Sequence, residues 1–425
     1  REILQSKLDH PPGLILSAHD FEGRPRDLLQ RLERMADEPL CRVIKLAWRA
    51  KSLRDNLEAF ELLAHRPSPM IALCMGPFGL PSRVLAPKFN GFLTFASLDE
   101  DTSSAPGQPT LDELLAGDRF RQISRRTATY GVIGWPVAHS LSPVLHNAGF
   151  ASVEHDGVHL PLPVPPDYEH FKATVGAFID ERGLDFRGAS VTIPHKTNLL
   201  RFIAERGGRI DPLTEAIGAA NTLIVGSAGG LEARNTDAPA AAHALAEAFE
   251  DGLAGLRDQR VAILGTGGAA RAIAVALLDV GAKIALFNRE KAKADQLADE
   301  LREKAGQLEL PGTIAGGKPD ALDCGCFDVF INATPVGMAG GPDAAGNPLE
   351  SIAGRSVELT DSVVVFDTVY TPVRTPLINA AERAGAGAVT GERMFFAQAA
   401  LQFEAWTGKA LPEEAFAGII SQHEP

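Results

Sequence analysis

The sequence predicts an α/β protein, and three features carry that prediction. Short apolar runs alternate with helix-spaced stretches through residues 1–124. The same alternation restarts at Tyr130. From Val261 a strand, a glycine-rich turn and an alanine-rich helix follow one another directly. Strands alternating with helices imply parallel sheets, because each crossover helix returns the chain to the same end of the sheet. A chain of 425 residues exceeds one ordinary core, so two or three domains are expected.

In the first segment Gly13 to Ser17, Cys41 to Ala47, Met70 to Met75 and Gly91 to Ala96 read as strands. Leu28 to Met35 and Ser52 to His65 are helical between them. Four strands at this spacing describe a partial (β/α)8 barrel. Leu111 to Ile123 is predicted as its last helix and residues 124–129 as a linker. A second α/β unit runs from Tyr130 to about Thr236. In the third, Val261 to Leu264, Lys283 to Phe287, Val329 to Asn332 and Val363 to Asp367 read as strands, and the chain turns helical again from Glu392 to Trp406.

Composition excludes some classes of function. A net charge of -13 argues against nucleic acid, whose phosphates have to be neutralised by lysine and arginine. The most apolar stretch, Val261 to Phe287, is broken by glycines, Arg271 and Asp279, so no membrane span is predicted. Cys41 and Cys74 stand alone in apolar runs, and Cys324-Gly-Cys326 lacks the spacing of a zinc site, so no metal is expected. Reduced thiols without a signal peptide predict a cytoplasmic protein. The chain opens on Arg1 rather than Met, which reads as a fragment with its N-terminus missing.

The turn Gly265-Thr266-Gly267-Gly268-Ala269-Ala270 has small residues at all three dinucleotide fingerprint positions, Gly265, Gly267 and Ala270. Gly265 permits the tight turn, Gly267 lets a pyrophosphate approach the backbone, and Ala270 lets helix and strand pack closely. The unpaired N–H groups of the helix start then face the phosphates. The next strand ends at Phe287-Asn288-Arg289, where an NAD enzyme usually has a carboxylate for the ribose hydroxyl. Arg289 suits a 2′-phosphate instead, with Lys291 and Lys293 just beyond, so NADP is the predicted cofactor. Read alone, the lysines are equally solvated charges at a helix start.

Six ordered motifs over residues 128–425 resemble shikimate dehydrogenase. They are Tyr130-Gly-Val-Ile-Gly-Trp-Pro136 with His139-Ser-Leu-Ser-Pro143 and His146-Asn147; Ser190-Val-Thr-Ile-Pro-His-Lys196; Ile217-Gly-Ala-Ala-Asn-Thr222; Asn235-Thr-Asp237; Asn332-Ala-Thr-Pro-Val-Gly-Met338; and Met394-Phe-Phe-Ala-Gln398. The resemblance implies a two-domain dehydrogenase. Its substrate domain would comprise residues 128–237 and 385–425, and its Rossmann-type NADP domain residues 238–384.

By the same resemblance Lys196 and Asp237 are the catalytic pair, and Ser140 and Ser142 bind the substrate carboxylate. Thr192, Asn221, Gln398 and Gln402 surround the ring hydroxyls, and Tyr370 stands at the mouth. Thr334, Thr368 and Gly391 meet the nicotinamide half of the cofactor. Taken singly, Ser142 would be a helix cap and Tyr370 a core tyrosine. Two positions depart from the family pattern: Ser190 replaces an asparagine, and Asp237-Ala-Pro-Ala240 lacks a glycine, which leaves substrate preference open.

Residues 1–124 resemble the second half of type I 3-dehydroquinate dehydratase, through Ser17-Ala-His-Asp-Phe21, Val43-Ile-Lys45, Met75-Gly-Pro-Phe-Gly-Leu-Pro-Ser-Arg83 and Ser104-Ala-Pro-Gly-Gln108. That resemblance implies that Lys45 forms a Schiff base, His19 moves protons, and Arg83, Ser104 and Gln108 hold carboxylate and hydroxyls. With half of the barrel, dehydratase activity is expected to be weak or absent in this chain. The small-molecule substrates implied are 3-dehydroshikimate, shikimate and 3-dehydroquinate. Two alternatives stand beside this reading: a quinate/shikimate dehydrogenase preferring NAD, and an inactive metabolite-sensing regulator.

Overall fold

The computed structural model describes residues 13–416 except 67, 100, 104 and 139, together with the side chains of all these but 116 and 324. Packing divides the chain into two units, one ending at His195 and one beginning at Lys196.

The first unit opens with β1 (Leu14–Asp20), α1 (Leu28–Ala36), β2 (Cys41–Arg49), α2 (Asp55–Ala64), β3 (Met70–Met75) and the short α3 (Leu80–Val84). The strands form a parallel sheet in the order β1-β2-β3. In it Lys45 pairs with Ser17 on one side and Ile71 on the other. Alternation puts Lys45 and His19 on the same face as Val43, Ala47, Ile71 and Leu73, which form a buried apolar cluster.

The strand expected over Gly91 to Ala96 does not form. Among the described residues that segment makes one main-chain bond to β3, from Phe92 N–H to the Met70 carbonyl, and the one bridge beyond it pairs Ser97 with Thr110. A single bond does not make a ladder, so the segment stays irregular. The helix expected over Leu111 to Ile123 is also broken. A π-helical turn covers Glu113–Gly117, Arg119 takes a left-handed conformation at φ 54°, and a 3₁₀ turn follows over Phe120–Gln122. The Gly117 carbonyl is drawn away from helical pairing, accepting from Asn147 Nδ2 at 2.8 Å.

The unit continues through β4 (Ala128–Gly134), α4 (Ser142–Ser152), β5 (Gly157–Pro163), α5 (Tyr168–Asp180) and β6 (Phe186–Val191), with parallel order β5-β4-β6. Residues 124–129 are not a free tether. Thr127, Ala128 and Thr129 are buried, and Lys88 Nζ donates to the carbonyls of Arg125 and Thr127 at 3.1 and 2.7 Å. Arg119 Nη1 donates to the carbonyls of His155 and Gly157. The Phe78 ring stacks on Trp135, centroids 6.0 Å apart.

The second unit begins with α6 (Lys196–Glu205), β7 (Arg209–Ile210), α7 (Pro212–Ile217), β8 (Thr222–Val225), β9 (Leu231–Arg234) and α8 (Asp237–Ala246). β9 pairs with β8 antiparallel and with β7 parallel. There follow β10 (Arg260–Leu264), α9 (Gly268–Asp279), β11 (Lys283–Phe287), α10 (Lys291–Gln307), β12 (Thr313–Gly316), β13 (Val329–Asn332), α11 (Pro348–Ala353), β14 (Val364–Asp367), α12 (Pro376–Arg383), β15 (Gly387–Val389) and α13 (Gly391–Thr407). Strands β10 to β15 make one parallel sheet in the order β12-β11-β10-β13-β14-β15. Ala240, Ala241 and Ala244 are buried where α8 packs on α9 and α13. Side chains this small let the three helices approach closely.

The order of that sheet reverses between β10 and β13, so the loops leaving their carboxyl ends part and open a crevice. The expected cofactor residues all follow strand ends of this sheet: Gly265 after β10, Asn288 and Arg289 after β11, Thr334 after β13, Thr368 after β14 and Gly391 after β15. None of the helices among the described residues is long and apolar enough to cross a membrane.

Candidate active site

At the start of α6, Lys196 donates from Nζ to Asp237 Oδ2 at 2.6 Å, with 13% and 6% of the two side chains exposed. Asp237 is the first residue of α8, and the partial positive charge at a helix N-terminus favours a carboxylate there. An ammonium has three protons, and Asp237 takes the only hydrogen bond Lys196 Nζ makes among the described residues. Two remain for an incoming oxygen.

Asn221 fixes the other carboxylate oxygen. Its Nδ2 donates to Asp237 Oδ1 and to Thr236 Oγ1, both at 2.9 Å, and its Oδ1 accepts from Thr236 N and Thr222 Oγ1 at 2.8 Å. Gln398 Oε1 lies 3.4 Å from Asn221 Nδ2 and completes the cluster from α13. Thr222 and Thr236 were not singled out by the sequence reading, although both stand inside motifs it quoted. Gln402, expected at a ring hydroxyl, packs against the segment that carries Asn221. It is wholly buried, and its Nε2 donates to the Asn221 carbonyl and Thr222 Oγ1 at 3.0 Å. One helical turn beyond Gln398, it faces β8 and anchors the backbone that carries Asn221.

The glycine turn fits a dinucleotide. Gly265 has φ 111°, which few other residues adopt, and a Cβ there would lie 2.8 Å from the Ala333 carbonyl oxygen. A Cβ on Gly267 would meet nothing within 4 Å, so its backbone is open to a phosphate. A Cβ on Gly268 would lie 2.8 Å from Lys196 Cδ, so glycine here lets the turn and the lysine lie together. Ala269 follows in the first turn of α9. Asn288 Nδ2 donates to Thr266 Oγ1 at 2.9 Å and ties β11 to this turn.

On the far side of the crevice Thr334 donates from N and Oγ1 to Asn332 Oδ1, and Thr368 N donates to the Asn332 carbonyl. Tyr370 stacks on Phe395 with centroids 4.4 Å apart. A Cβ on Gly391 would fall 2.4 Å from the Val369 carbonyl oxygen.

In the first unit Ser140 and Thr192 lie in loops leaving the carboxyl ends of the adjacent strands β4 and β6, and Ser142 opens the helix after the first of these loops. Ser142 is the first residue of α4 and does not cap it; Ser140 Oγ instead accepts from Ser142 N at 3.3 Å. Thr192 packs where a Cβ on Gly134 would lie 2.4 Å from its Cγ2.

A second group of site residues faces the β1-β2-β3 sheet. Lys45 Nζ sits 4.0 Å over the Phe95 ring, and burial, then the Arg83 guanidinium, holds its amine below the ordinary lysine range. Burial and then Lys45 lower His19 in the same way. Arg83 is buried, its pKa pushed down to about 10 by desolvation, and its Nε and Nη2 have no hydrogen-bond partner among the described residues. Gln108 is half-buried in the loop that follows. Ser104 and His139 lie outside the described residues.

Comparison with known proteins places these features in context. Residues 1–125 match the type I 3-dehydroquinase family, residues 132–223 the shikimate dehydrogenase substrate binding domain, residues 246–312 the shikimate/quinate 5-dehydrogenase family, and residues 391–417 the shikimate 5'-dehydrogenase C-terminal domain. A bifunctional 3-dehydroquinate dehydratase/shikimate dehydrogenase, chloroplastic, from Arabidopsis thaliana is 35% identical over 99% of this chain and 68% of its own length. A shikimate dehydrogenase (NADP(+)) from Methanocella arvoryzae is 40% identical over 67% of this chain and 94% of its own. Among solved structures, a shikimate dehydrogenase in complex with NADP+ is similar with a TM-score of 0.60 at 32% identity, covering 71% of this chain and 97% of the other. One from Listeria monocytogenes, in complex with shikimate and NAD, gives a TM-score of 0.57 at 30% identity, covering 69% and 96%.

Proposed function

The chain belongs to the shikimate dehydrogenase family, with a type I 3-dehydroquinase segment ahead of the dehydrogenase, and from that premise we propose that it interconverts 3-dehydroshikimate and shikimate with NADP, Lys196 moving the proton. The observation that carries this reading is the Lys196–Asp237 pair beside the glycine turn.

Reduction of a ring ketone needs a hydride at carbon and a proton at oxygen. The dinucleotide, when bound, supplies the hydride. Lys196 holds the carbonyl oxygen through one of its two remaining protons and donates that proton as negative charge develops there. Asp237 keeps the ammonium in place, and Asn221 keeps Asp237 in place. Ser140 and Ser142 are assigned to the substrate carboxylate, and Thr192, Asn221, Gln398 and Tyr370 to its hydroxyls. Gln402 is assigned a positioning role behind Asn221. Gly265, Thr266, Gly267, Gly268 and Ala269 would hold the pyrophosphate, Asn288, Arg289 and Lys293 the adenosine half, and Thr334, Thr368 and Gly391 the nicotinamide half. The free thiols of Cys41, Cys74 and Cys326 agree with a reducing compartment, taken here as the cytoplasm.

Lys196→Ala is expected to lower the rate of 3-dehydroshikimate reduction by about 10²–10⁴-fold, followed by NADPH absorbance. Reduction at the parent rate would overturn the assignment.

The group around Lys45 supports the Schiff-base chemistry of a 3-dehydroquinate dehydratase, with turnover weak or absent from the half barrel in this chain. An amine lowered by burial is a better nucleophile at neutral pH. Lys45 Nζ would attack the substrate ketone and expel water to form an imine, which acidifies the neighbouring carbon. His19 would carry the proton, and the unpartnered nitrogens of Arg83 suit a carboxylate.

A further inference from the structure

The cation cluster assigned to the 2′-phosphate is partly neutralised from within. β11 ends at Phe287, and the next residues are Asn288, Arg289 and Glu290, with Glu290 at the N-cap of α10. Asn288 links this corner to the glycine turn: Nδ2 donates to Thr266 Oγ1, and Oδ1 accepts from Glu290 N at 2.9 Å. The Glu290 main chain is therefore fixed three residues beyond the strand end, near where a dinucleotide's adenosine ribose lies in this type of fold. Glu290 makes no side-chain cap to its own helix. Its carboxylate instead accepts from Lys293 Nζ at 2.6 Å, with both side chains more than half exposed. Lys291 is likewise paired, with Asp295. Arg289 is exposed and makes no ion pair among the described residues. Three cations thus face two carboxylates, and one of these stands next to the arginine.

We propose that Glu290 is a specificity-determining residue that limits the preference of this site for NADP over NAD. It occupies Lys293 and repels a 2′-phosphate approaching Arg289, and it offers a ribose 2′-hydroxyl an acceptor. The proposal rests on the dehydrogenase reading above and refines its cofactor. A 2′-phosphate has to share the Lys293 ammonium with the Glu290 carboxylate, and it carries nearly two negative charges past that carboxylate. NAD meets neither obstacle. Removing the charge should therefore act on one dinucleotide and spare the other.

The test is calorimetric titration of the full chain with NADP+, NAD+ and 2′,5′-ADP, for the parent, Glu290→Gln and Arg289→Ala. Glu290→Gln is expected to tighten NADP+ and 2′,5′-ADP roughly two- to fivefold, the scale of one exposed charge contact, and to leave NAD+ affinity unchanged. Arg289→Ala should weaken NADP+ and 2′,5′-ADP alone. The gain in Glu290→Gln should shrink as salt rises, since exposed charges are screened. If the parent binds NADP+ and Glu290→Gln leaves the NADP+ to NAD+ ratio unchanged or lower, the proposal is wrong while the dehydrogenase reading stands. If the parent binds neither dinucleotide, that reading falls and the proposal with it.

Discussion

Asn221 and Asp237 share a 2.9 Å hydrogen bond from Nδ2 to Oδ1, on the opposite carboxylate oxygen from the one that holds Lys196. The carboxylate is thereby gripped at both oxygens and cannot rotate away from the ammonium. Asn221→Ala would free one oxygen and leave Thr236 N–H and Thr222 O–H without the acceptor they now share. We expect kcat to fall by roughly tenfold or more through misplacement of Lys196. Two buried donors without partners should also cost about 2–4 kcal/mol of stability. Steady-state kinetics and a urea melt of the same preparation measure both. An unchanged kcat would mean that Asn221 does not position the pair.

Lys45 can be tested without measuring turnover. Burial and Arg83 favour its neutral amine, so incubation with 3-dehydroquinate and borohydride should fix one substrate-derived adduct on Lys45, detected by peptide mass. Because the amine pKa is lowered, trapping should persist further toward acid than for an ordinary surface lysine. Lys45→Arg should abolish the adduct. An adduct that survives that substitution would locate the imine elsewhere.

Where local chemistry determines the structure, the sequence was readable. The turn at Gly265 has to combine a positive φ with an open helix start, and only glycines at that spacing supply both. The strands β2, β3 and β10 are apolar runs bounded by polar turns, and their positions followed directly. Gly91 to Ala96 misled because its apolar, β-forming residues make a strand only if they form a ladder with a neighbour, and here a single main-chain bond reaches β3. Leu111 to Ile123 misled because Gly117 and Arg119 leave helical geometry in answer to Asn147 and β5, contacts distant in sequence. Gln402 carried a motif signal for the site, but not the information that its amide points at β8. Glu290 carries no sequence signal, since an acid at a helix start is ordinary; its meaning depends on Lys293 and the nearby turn.

The buried carboxylate of Asp367 joins two loops of the crevice. It accepts from Asn332 Nδ2 at 2.8 Å, Val369 N at 3.0 Å and Thr375 Oγ1 at 2.6 Å, while Asn332 Oδ1 holds Thr334. Burial pushes the Asp367 carboxyl up, and the hydrogen bonds from Thr375, Val369 and Asn332 pull it back. Asp367→Ala would strand three buried donors, and we expect a loss of about 3 kcal/mol or more. Dinucleotide affinity, read by titration, should fall with it, because Thr334 and Thr368 would lose their common anchor. Asp367→Asn should lie between the two, keeping the volume but not every acceptor. Parent affinity in the alanine variant would show that the loops are held by other contacts.

Asp118 makes stability depend on pH. It follows the π-helical turn, is almost fully buried, and burial, then the Glu113 carboxylate, raises its pKa to about 7. In the unfolded chain the same group titrates near 3.8. Between those values the folded chain keeps a proton that the unfolded chain has released, so stability falls as pH rises through this window. Above about 7 both forms are ionised and the penalty is complete. Asp118→Asn removes the titration. Relative to the parent it should gain on the order of 2–4 kcal/mol between about pH 4 and about pH 7, an upper range for a shift of this size. Urea midpoints measured across that range for both proteins decide it. Parallel curves would show that Asp118 is solvated in solution and does not bind the extra proton.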